Sequence, residues 1–310
     1  MDNNHPRVSI GLAVYNGEKY LEEAIDSILG QTYQDFELII SDNASTDRTE
    51  EICRKYAAQD NRIRYYRNAT NIGGANNENS TVGLARGGYF RWAAHDDVCA
   101  PDLLEKYVGV LDREPSVVLC FSMVHDIDEN GNIINTISLK QGLSAKAHER
   151  FRELADPKHH CEIFYGLIRT GVLRQTRLQQ NYTDSDRTLL AELSLYGRFY
   201  EIPEPLFFKR YHPQNSYVNM RTRMAWFDPS LKGRFVFPYW MQFFDYLRTI
   251  SRVPLPWSEK VRCYAHMIRW FWDHRKNLAG DIVLPIYVLL RPRKDPYAWR
   301  NANADVYNWE

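Results

Sequence analysis

The first hundred residues alternate between two periodicities, and that alternation limits the chain to a small set of folds. Val8, Ile10, Leu12 and Val14 mark a buried strand that runs from Arg7 and breaks at Tyr15-Asn16-Gly17. Leu21, Ala24, Ile25, Ile28 and Leu29 then recur at the 3.6-residue spacing of an amphipathic helix. The pair returns. Phe36 to Ile40 reads as a second strand ending at Ser41-Asp42-Asn43, and Asp47 with Glu50 opens a helix through Ile52 and Tyr56 like a capping box. Ile63 to Tyr66 is a third strand, and Asn71-Ile-Gly73-Gly74 leads to a helix ending near Arg86-Gly87-Gly88. Strands alternating with helices of this length predict a parallel sheet of βαβ units.

The next strand, at Gly88-Tyr89-Phe90, feeds Arg91-Trp-Ala-Ala-His95-Asp96-Asp97, after which Pro101 opens a helix marked by Leu103, Leu104, Tyr107, Val108 and Leu111. Asp96 and Asp97 thus fall just past a strand's C-terminal end, where open α/β sheets bind ligands. Adjacent carboxylates repel one another and call for a cation; the competing reading is that they cap the following helix. Tyr15 and Asp42 stand at the matching ends of the first two strands. A tyrosine face stacks on a nucleobase, a contact worth about 1–3 kcal/mol in nucleic-acid complexes, and a carboxylate accepts a base N–H. Hard carboxylate oxygens suit Mg²⁺ or Mn²⁺ bridging a diphosphate. Taken singly, Tyr15 also reads as a core tyrosine and Asp42 as a turn residue.

Other nucleotide chemistries lack their motifs. The first turn is not G-x-G-x-x-G, no P-loop occurs, and no G-x-S-x-G nucleophile elbow is present. His159-His160-Cys161 are three neighbours that cannot easily all point at one metal, and they read as loop residues. Val117 to Met123 continues the sheet, and Asp128-Glu-Asn130-Gly131-Asn132 is a hairpin turn. Asp184-Ser185-Asp186 precedes a helix carrying Leu189, Leu190 and Leu193, stopped by Gly197. Phe199 to Ile202 and Leu206 to Tyr211 read as short strands, and beyond residue 220 the pattern is helical, aromatic and basic.

Charge divides the chain unevenly although it sums to zero. Residues 221–310 hold 15 Lys/Arg against 8 Asp/Glu, an excess of +7 matched by −7 in residues 1–220. Seven of the eight tryptophans lie after residue 225; Trp226, Trp240, Trp257, Trp270 and Trp272 are interleaved with Arg and Lys, as in interfacial helices. Two readings stand side by side: docking on an anionic membrane surface, and packing of the tail onto the body. No zinc-finger spacing or RNA-binding signature accompanies the charge, so nucleic acid is not expected. Five scattered cysteines without C-x-x-C, a polar N-terminal stretch and no apolar run long enough to span a bilayer give a cytoplasmic expectation, peripheral on the inner membrane face.

Val8-Ser-Ile-Gly-Leu-Ala-Val-Tyr-Asn16, Glu37-Leu-Ile-Ile-Ser-Asp-Asn-Ala-Ser-Thr-Asp47, Asn71-Ile-Gly73 and Ala94-His-Asp-Asp97 together resemble glycosyltransferase family 2 over residues 7 to about 216. The resemblance implies the α/β GT-A fold: a mostly parallel nucleotide-binding sheet flanked by helices, here with a helical C-terminal extension. It implies a catalytic domain at 1–220, with a nucleotide-sugar half at 1–125 and an acceptor half at 126–220, and the extension at 221–310. It further implies an inverting transferase that takes a nucleotide-diphosphate sugar, UDP by default, and Mn²⁺ or Mg²⁺. By position, Tyr15 and Asp42 would contact the base, Asp96 the ribose or sugar, and Asp97 the metal. The family's Asp-x-Asp-Asp begins here with Ala94, so fewer protein oxygens would hold the ion.

The resemblance places the base, which takes the proton from the acceptor hydroxyl, at Asp186 in Thr183-Asp-Ser-Asp-Arg, with Asp184 the rival and an N-cap role open for either. A helix N-terminus favours the ionised form that a base needs. Lys209-Arg-Tyr-His212-Pro-Gln-Asn-Ser216 resembles the segment that closes over the diphosphate: His212 as metal or phosphate ligand or as a structural histidine, Arg210 offsetting phosphate charge. Gly166-Leu-Ile-Arg169 would line the acceptor side. The acceptor would be a glycan or lipid-linked glycan, as in surface polysaccharide or glycolipid synthesis. Two other functions compete: a catalytically silent nucleotide-sugar-binding scaffold, suggested by Ala94, and a sugar-nucleotide pyrophosphorylase, which would need a Gly-rich basic first turn.

Overall fold

The computed structural model describes residues 5–156, 159–213, 227, 230 and 236–290. Its first half is the predicted βαβ succession: β1 (Val8–Val14), α1 (Leu21–Leu29), β2 (Phe36–Asp42), α2 (Thr49–Gln59), β3 (Ile63–Arg67), α3 (Gly74–Leu84) and β4 (Tyr89–Ala93). The pairings β3-β2-β1-β4 are all parallel. All seven residues of β2 and six of seven in β1 are buried, which is why both strands read as continuous apolar runs rather than as alternations. The capping box expected from Asp47 and Glu50 does not form: Arg48 is the N-cap of α2 with no side-chain cap bond, Asp47 Oδ1 accepts from the Thr49 N–H at 3.0 Å, and Glu50 pairs with Arg54 and Arg67.

Beyond β4 the sheet becomes mixed. β5 (Val98–Cys99), α4 (Leu103–Arg113), β6 (Val117–Ile127) and β7 (Ile133–Ile137) come next. Then follow α5 (Ala147–Ala155), a 3₁₀ turn (Cys161–Tyr165), β8 (Leu167–Arg169), α6 (Thr170–Leu173), α7 (Ser185–Tyr196) and β9 (Arg198–Arg210). β8 runs antiparallel between β4 and β6 and welds the two halves into one sheet, ordered β3-β2-β1-β4-β8-β6-β9-β5. The two short strands expected at 199–202 and 206–211 are one strand, β9, parallel to β6. Its register slips where Pro203 and Pro205 fall, since proline cannot donate to the ladder and a local irregularity absorbs it. Gly197 ends α7 in an extended conformation; a Cβ there would come within 2.4 Å of Val118 Cγ1, so closeness rather than a left-handed cap demands glycine.

Three helices complete the described chain: α8 (Pro238–Arg252), α9 (Trp257–Asp273) and α10 (Arg275–Leu290). Tyr246, Ile250 and Val253 of α8 and its end, with Cys263, Met267 and Trp270 of α9, join the same apolar core as the sheet. Trp270 also donates from its indole N–H to the Ala155 carbonyl at 3.0 Å. The tryptophans divide between the two readings of the tail. Trp240 and Trp270 pack inward, Trp257 and Trp272 stand exposed, and Trp226 lies outside the described residues. Among the described residues no helix is long and apolar enough to cross a membrane.

Candidate active site

Parallel pairing puts the C-terminal ends of β1, β2 and β4 along one edge, and the polar residues singled out in the sequence collect there. Val14 pairs with Asp42, so Tyr15 follows directly beside it. Tyr15 is 43% exposed, open for a planar ligand. Asp42 is not open. It is fully buried: Oδ1 accepts from the Ser45 N–H at 2.8 Å, while Oδ2 accepts from the Tyr65 hydroxyl at 2.8 Å and pairs with Arg67 at 3.3 Å. In this conformation its carboxylate fixes the wall of the edge, and a base would reach it only by displacing Tyr65 or Arg67. Next to it, Asn43 bonds Asn71 and the Ile72 N–H, which draws the start of α3 to the same edge.

Asp96 and Asp97 leave β4 toward the end of β9, and the two segments are tied tightly. His212 Nε2 lies 2.9 Å from Asp96 Oδ2, and the Arg210 backbone N–H donates to Asp97 Oδ1 at 2.9 Å. Burial alone would raise the Asp96 pKa, but nearby His95 and the hydrogen bond and charge of His212 outweigh it and hold the carboxyl below its usual range. Asp97 goes the other way. Burial and the neighbouring Asp96 charge push it well above the usual carboxylate value, against the Arg210 N–H and the charges of Lys209 and Arg91. Asp97 Oδ2 has no hydrogen-bond partner among the described residues. Two adjacent carboxylates, one raised by the charge of the other, with an imidazole on Asp96, are oxygen and nitrogen donors that a divalent cation would suit. Among the described residues no three His, Cys, Asp or Glu side chains converge as a ready metal cage, in keeping with Ala94 in the motif.

The Arg210 side chain corrects the expectation placed on it. It is 2% exposed, and its N–H groups go to Glu23 Oε2 at 2.7 Å, the Asp96 carbonyl at 2.9 Å and the Asp128 and Glu129 carbonyls at 3.4 Å. It lies over the Tyr20 ring, which also packs against His212. Arg210 therefore clamps the carboxylate segment to α1 and the β6–β7 turn instead of facing a diphosphate. Arg169 is corrected as well. It pairs with Tyr89 at the start of β4, the end remote from Asp96, and its guanidinium is spent on the Val117, Leu111 and Glu114 carbonyls. It pins α4 to the sheet.

On the other flank, Asp184 adopts left-handed backbone (φ 68°) as the N-cap of α7, with no side-chain cap bond, and Asp186 sits in the first turn. Asp186 lies close enough to Glu78 of α3 for its charge to act on that carboxyl. Burial pushes the Glu78 carboxyl up to about 8, the hydrogen bond from Gln179 opposing the rise and the Asp186 charge adding to it. Tyr20, Glu23, Glu78, Gln179 and Arg91 carried no signal in the sequence reading. Glu23 looks like an ordinary acidic first-turn residue, and Arg91 sits in a strand where its burial (1% exposed, its Nη2 without a partner) is invisible from spacing.

A parallel four-strand unit with carboxylates beyond its C-terminal edge, extended by an antiparallel strand into a mixed sheet, is an α/β fold of the GT-A type. The chain belongs to glycosyl transferase family 2, whose family model matches residues 9–176. It is similar to an uncharacterized glycosyltransferase of Methanocaldococcus jannaschii, 41% identical over 131 residues, 42% of this chain and 45% of that one. An uncharacterized glycosyltransferase of Haemophilus influenzae is 29% identical over 67% of each chain. The chain thus spans under half the length of the first curated relatives it matches. In fold it resembles S. aureus TarS 1–349 in complex with UDP-GlcNAc, with a TM-score of 0.66 at 17% identity over 96% of this chain and 79% of that one. It also resembles the Pyrobaculum calidifontis mannosyltransferase PcManGT in complex with GDP-Man and Mn²⁺, at 0.57 and 16% over 99% and 82%.

Proposed function

We propose that this protein transfers a sugar from a nucleotide-diphosphate sugar to an acceptor hydroxyl with inversion, Asp186 being the base. The observation that supports the proposal is the gathering of Tyr15 and the Asp96–Asp97–His212 cluster beyond the C-terminal ends of the parallel strands β1, β2 and β4. Tyr15 stacks on the base. Asp97 and His212 are the groups that would hold Mn²⁺ or Mg²⁺, which when bound neutralises charge on the leaving diphosphate. Asp186 takes the proton from the acceptor O–H as that oxygen bonds the anomeric carbon and the bond from that carbon to the diphosphate oxygen breaks. Burial pushes the Glu78 carboxyl up to about 8, which favours its neutral form and limits the charge it adds near Asp186. UDP is the donor base we favour, since the TarS structures hold UDP and UDP-GlcNAc; GDP is the alternative raised by the mannosyltransferase.

We further propose that the C-terminal helices rest on an anionic membrane at its inner face, so that the acceptor is a lipid-linked glycan of surface polysaccharide or glycolipid synthesis. Trp257, Val261, Ile268 and Trp272 make one exposed stripe along α9, with Lys260, Arg262, Arg269, Arg275 and Lys276 around it against Glu259 and Asp273. Binding to anionic vesicles at low salt, lost on Trp257→Ala with Trp272→Ala, is expected.

The catalytic test is thermal stability against UDP, GDP, dTDP and CDP, each with and without Mn²⁺, followed by turnover of Asp186→Asn. A ligand that binds only the native state raises stability by RT ln(1 + [L]/Kd). The expected result is one diphosphate that stabilises, more so with metal, and an Asp186→Asn variant that keeps this shift and loses transfer. Unchanged turnover in that variant removes Asp186 from the role. A nucleotide shift without any transfer by the wild-type protein favours the silent scaffold, and no shift with any nucleotide removes both readings.

A further inference from the structure

A groove of about 840 Å³ lies between α3, the loop at 175–183 and α8, outside the donor edge described above. Its volume falls in the range of roughly 300–1,000 Å³ in which proteins bury drug-sized molecules, enough for a short oligosaccharide. We propose that this groove binds the acceptor's glycan chain, holding the sugar residues next to the one that carries the attacking hydroxyl. The inference rests on the transferase reading and adds the class of acceptor and where it lies.

The walls differ in chemistry. One is aromatic: Trp240 and Phe244 of α8 stack with ring centroids 5.8 Å apart, and Phe244 is 47% exposed although nothing polar justifies its place. The other carries carboxamides, Asn76 and Asn79 from α3 and Asn181 from the loop. Asn181 makes no hydrogen bond among the described residues, so its donor and acceptor are both available to a ligand. An aromatic face covers the C–H side of a pyranose, and a carboxamide, with one acceptor and two donors, matches adjacent hydroxyls. The charges on the floor are engaged with each other: Arg177 and Arg248 both pair with Asp245. That leaves only one excess positive charge, on the more exposed Arg248, little for a nucleotide or diphosphate. An alkyl chain would have no use for the amides.

The groove also leads to the reaction. Gln179 lines it and donates through its side chain to Glu78, the carboxyl that feels the charge of Asp186. Asn79 grips the Gln179 backbone on both sides, accepting from its N–H at 3.2 Å and donating to its carbonyl at 2.8 Å. Leu178, also in the lining, holds a left-handed φ of 56°. A branched non-glycine residue there is strained by about 1–3 kcal/mol and persists where its surroundings over-determine it. A loop fixed this firmly keeps one shape for a ligand.

The experiment uses the full chain on an array of soluble oligosaccharides from one to six sugars, with Phe244→Ala and Asn181→Ala beside wild type. The nucleotide-induced thermal shift reports that each variant is intact. Retention of glycans of two or more sugars is expected, weakened at least tenfold by Phe244→Ala and several-fold by Asn181→Ala, with the nucleotide shift unchanged. The proposal is overturned if no oligosaccharide binds, or if binding is indifferent to both variants. It is also overturned if the variants instead abolish binding of neutral phospholipid vesicles, which would make the groove a lipid seat. Glycan binding in the groove without any nucleotide shift would sink the transferase reading and leave the glycan site standing; the reverse result would do the opposite.

Discussion

Replacing Arg210 with Met separates two roles for the same residue. If its guanidinium clamps the carboxylate segment, as its contacts indicate, the variant loses stability. The hydrogen bond to the Asp96 carbonyl comes from a charged donor at 2.9 Å inside the protein and is worth about 1.5–3 kcal/mol. The two contacts at 3.4 Å to the Asp128 and Glu129 carbonyls are long and add little. The ion pair with Glu23 is discounted to under about 1 kcal/mol, because that carboxylate is 54% exposed and returns to water when Arg210 is gone. The cation–π contact with buried Tyr20, 4.7 Å from the ring centroid, contributes about 1 kcal/mol. Met recovers part of the packing, so the net expected loss is about 3 kcal/mol. Urea unfolding followed by far-UV circular dichroism reads this as a lower midpoint at constant slope. A loss under about 1 kcal/mol, together with a tenfold or larger loss of nucleotide affinity, would return Arg210 to the diphosphate and refute the clamp.

Glu37 gives the pH dependence. Burial would raise it, but hydrogen bonds from Arg86, Ser9 and Arg64 prevail and hold its pKa below the ordinary value. A depressed carboxylate stabilises the fold fully above its unfolded pKa of about 4.3 and loses that contribution as pH falls through the folded value. Glu37→Gln should therefore cost about 2–3 kcal/mol at pH 7, below the usual loss for a broken buried pair because both arginines reach solvent. The gap from wild type should close as the solution is acidified, and a gap constant with pH contradicts the assignment. Arg169→Ala should destabilise by about 2 kcal/mol or more through three orphaned carbonyls, and acceptor KM should not move; a KM effect without a stability effect reverses the correction. Gly17→Ala should lower both stability and nucleotide affinity, since its Cβ would sit 2.7 Å from His95 Cδ2 and 2.6 Å from Val14 Cγ2. Wild-type affinity there would show that the His95 segment yields freely.

The parallel half was legible because its signals are local. Strand and helix periods and the polar residues at strand ends need no knowledge of distant partners, and parallel pairing then gathers Tyr15, Asp42, Asp96 and Asp97 of itself. The second half was less legible. β8 is three residues long, too short to display a period, yet it decides that the sheet turns mixed. Lys209 and Arg210 were indistinguishable as neighbouring bases in a strand. Alternation sends Lys209 to Glu162 on one face and Arg210 to Glu23 on the other, and only tertiary pairing shows which face meets the site. Asp42 has the right position and a hidden state, since Arg67 and Tyr65 arrive from a different strand. Glu78 beside Asp186 joins residues more than a hundred positions apart, beyond any motif.

The C-terminal helices hold the loop that leads to Asp186, the residue proposed above as base. Asp245 of α8, 4% exposed, accepts from the Tyr182 hydroxyl and pairs with Arg177, so it grips the 175–183 loop at two points. Arg252 at the end of α8 reaches Glu192 of α7 at 2.9 Å, and Glu192 also accepts from the Arg177 N–H. Each buried carboxylate thus binds one side of the loop or of α7 to α8. Removing one partner from such a pair costs about 2–3 kcal/mol, below the usual loss for a fully buried pair because both arginines reach solvent, and the two pairs together exceed the roughly 1–3 kcal/mol held in each left-handed residue, Leu178 before Asp186 and Asp184 beside it. The loop conformation is therefore over-determined from α8. The loop before Asp186 is thus braced from α8, and Asp186 and its brace both lie beyond the matched family region of 9–176.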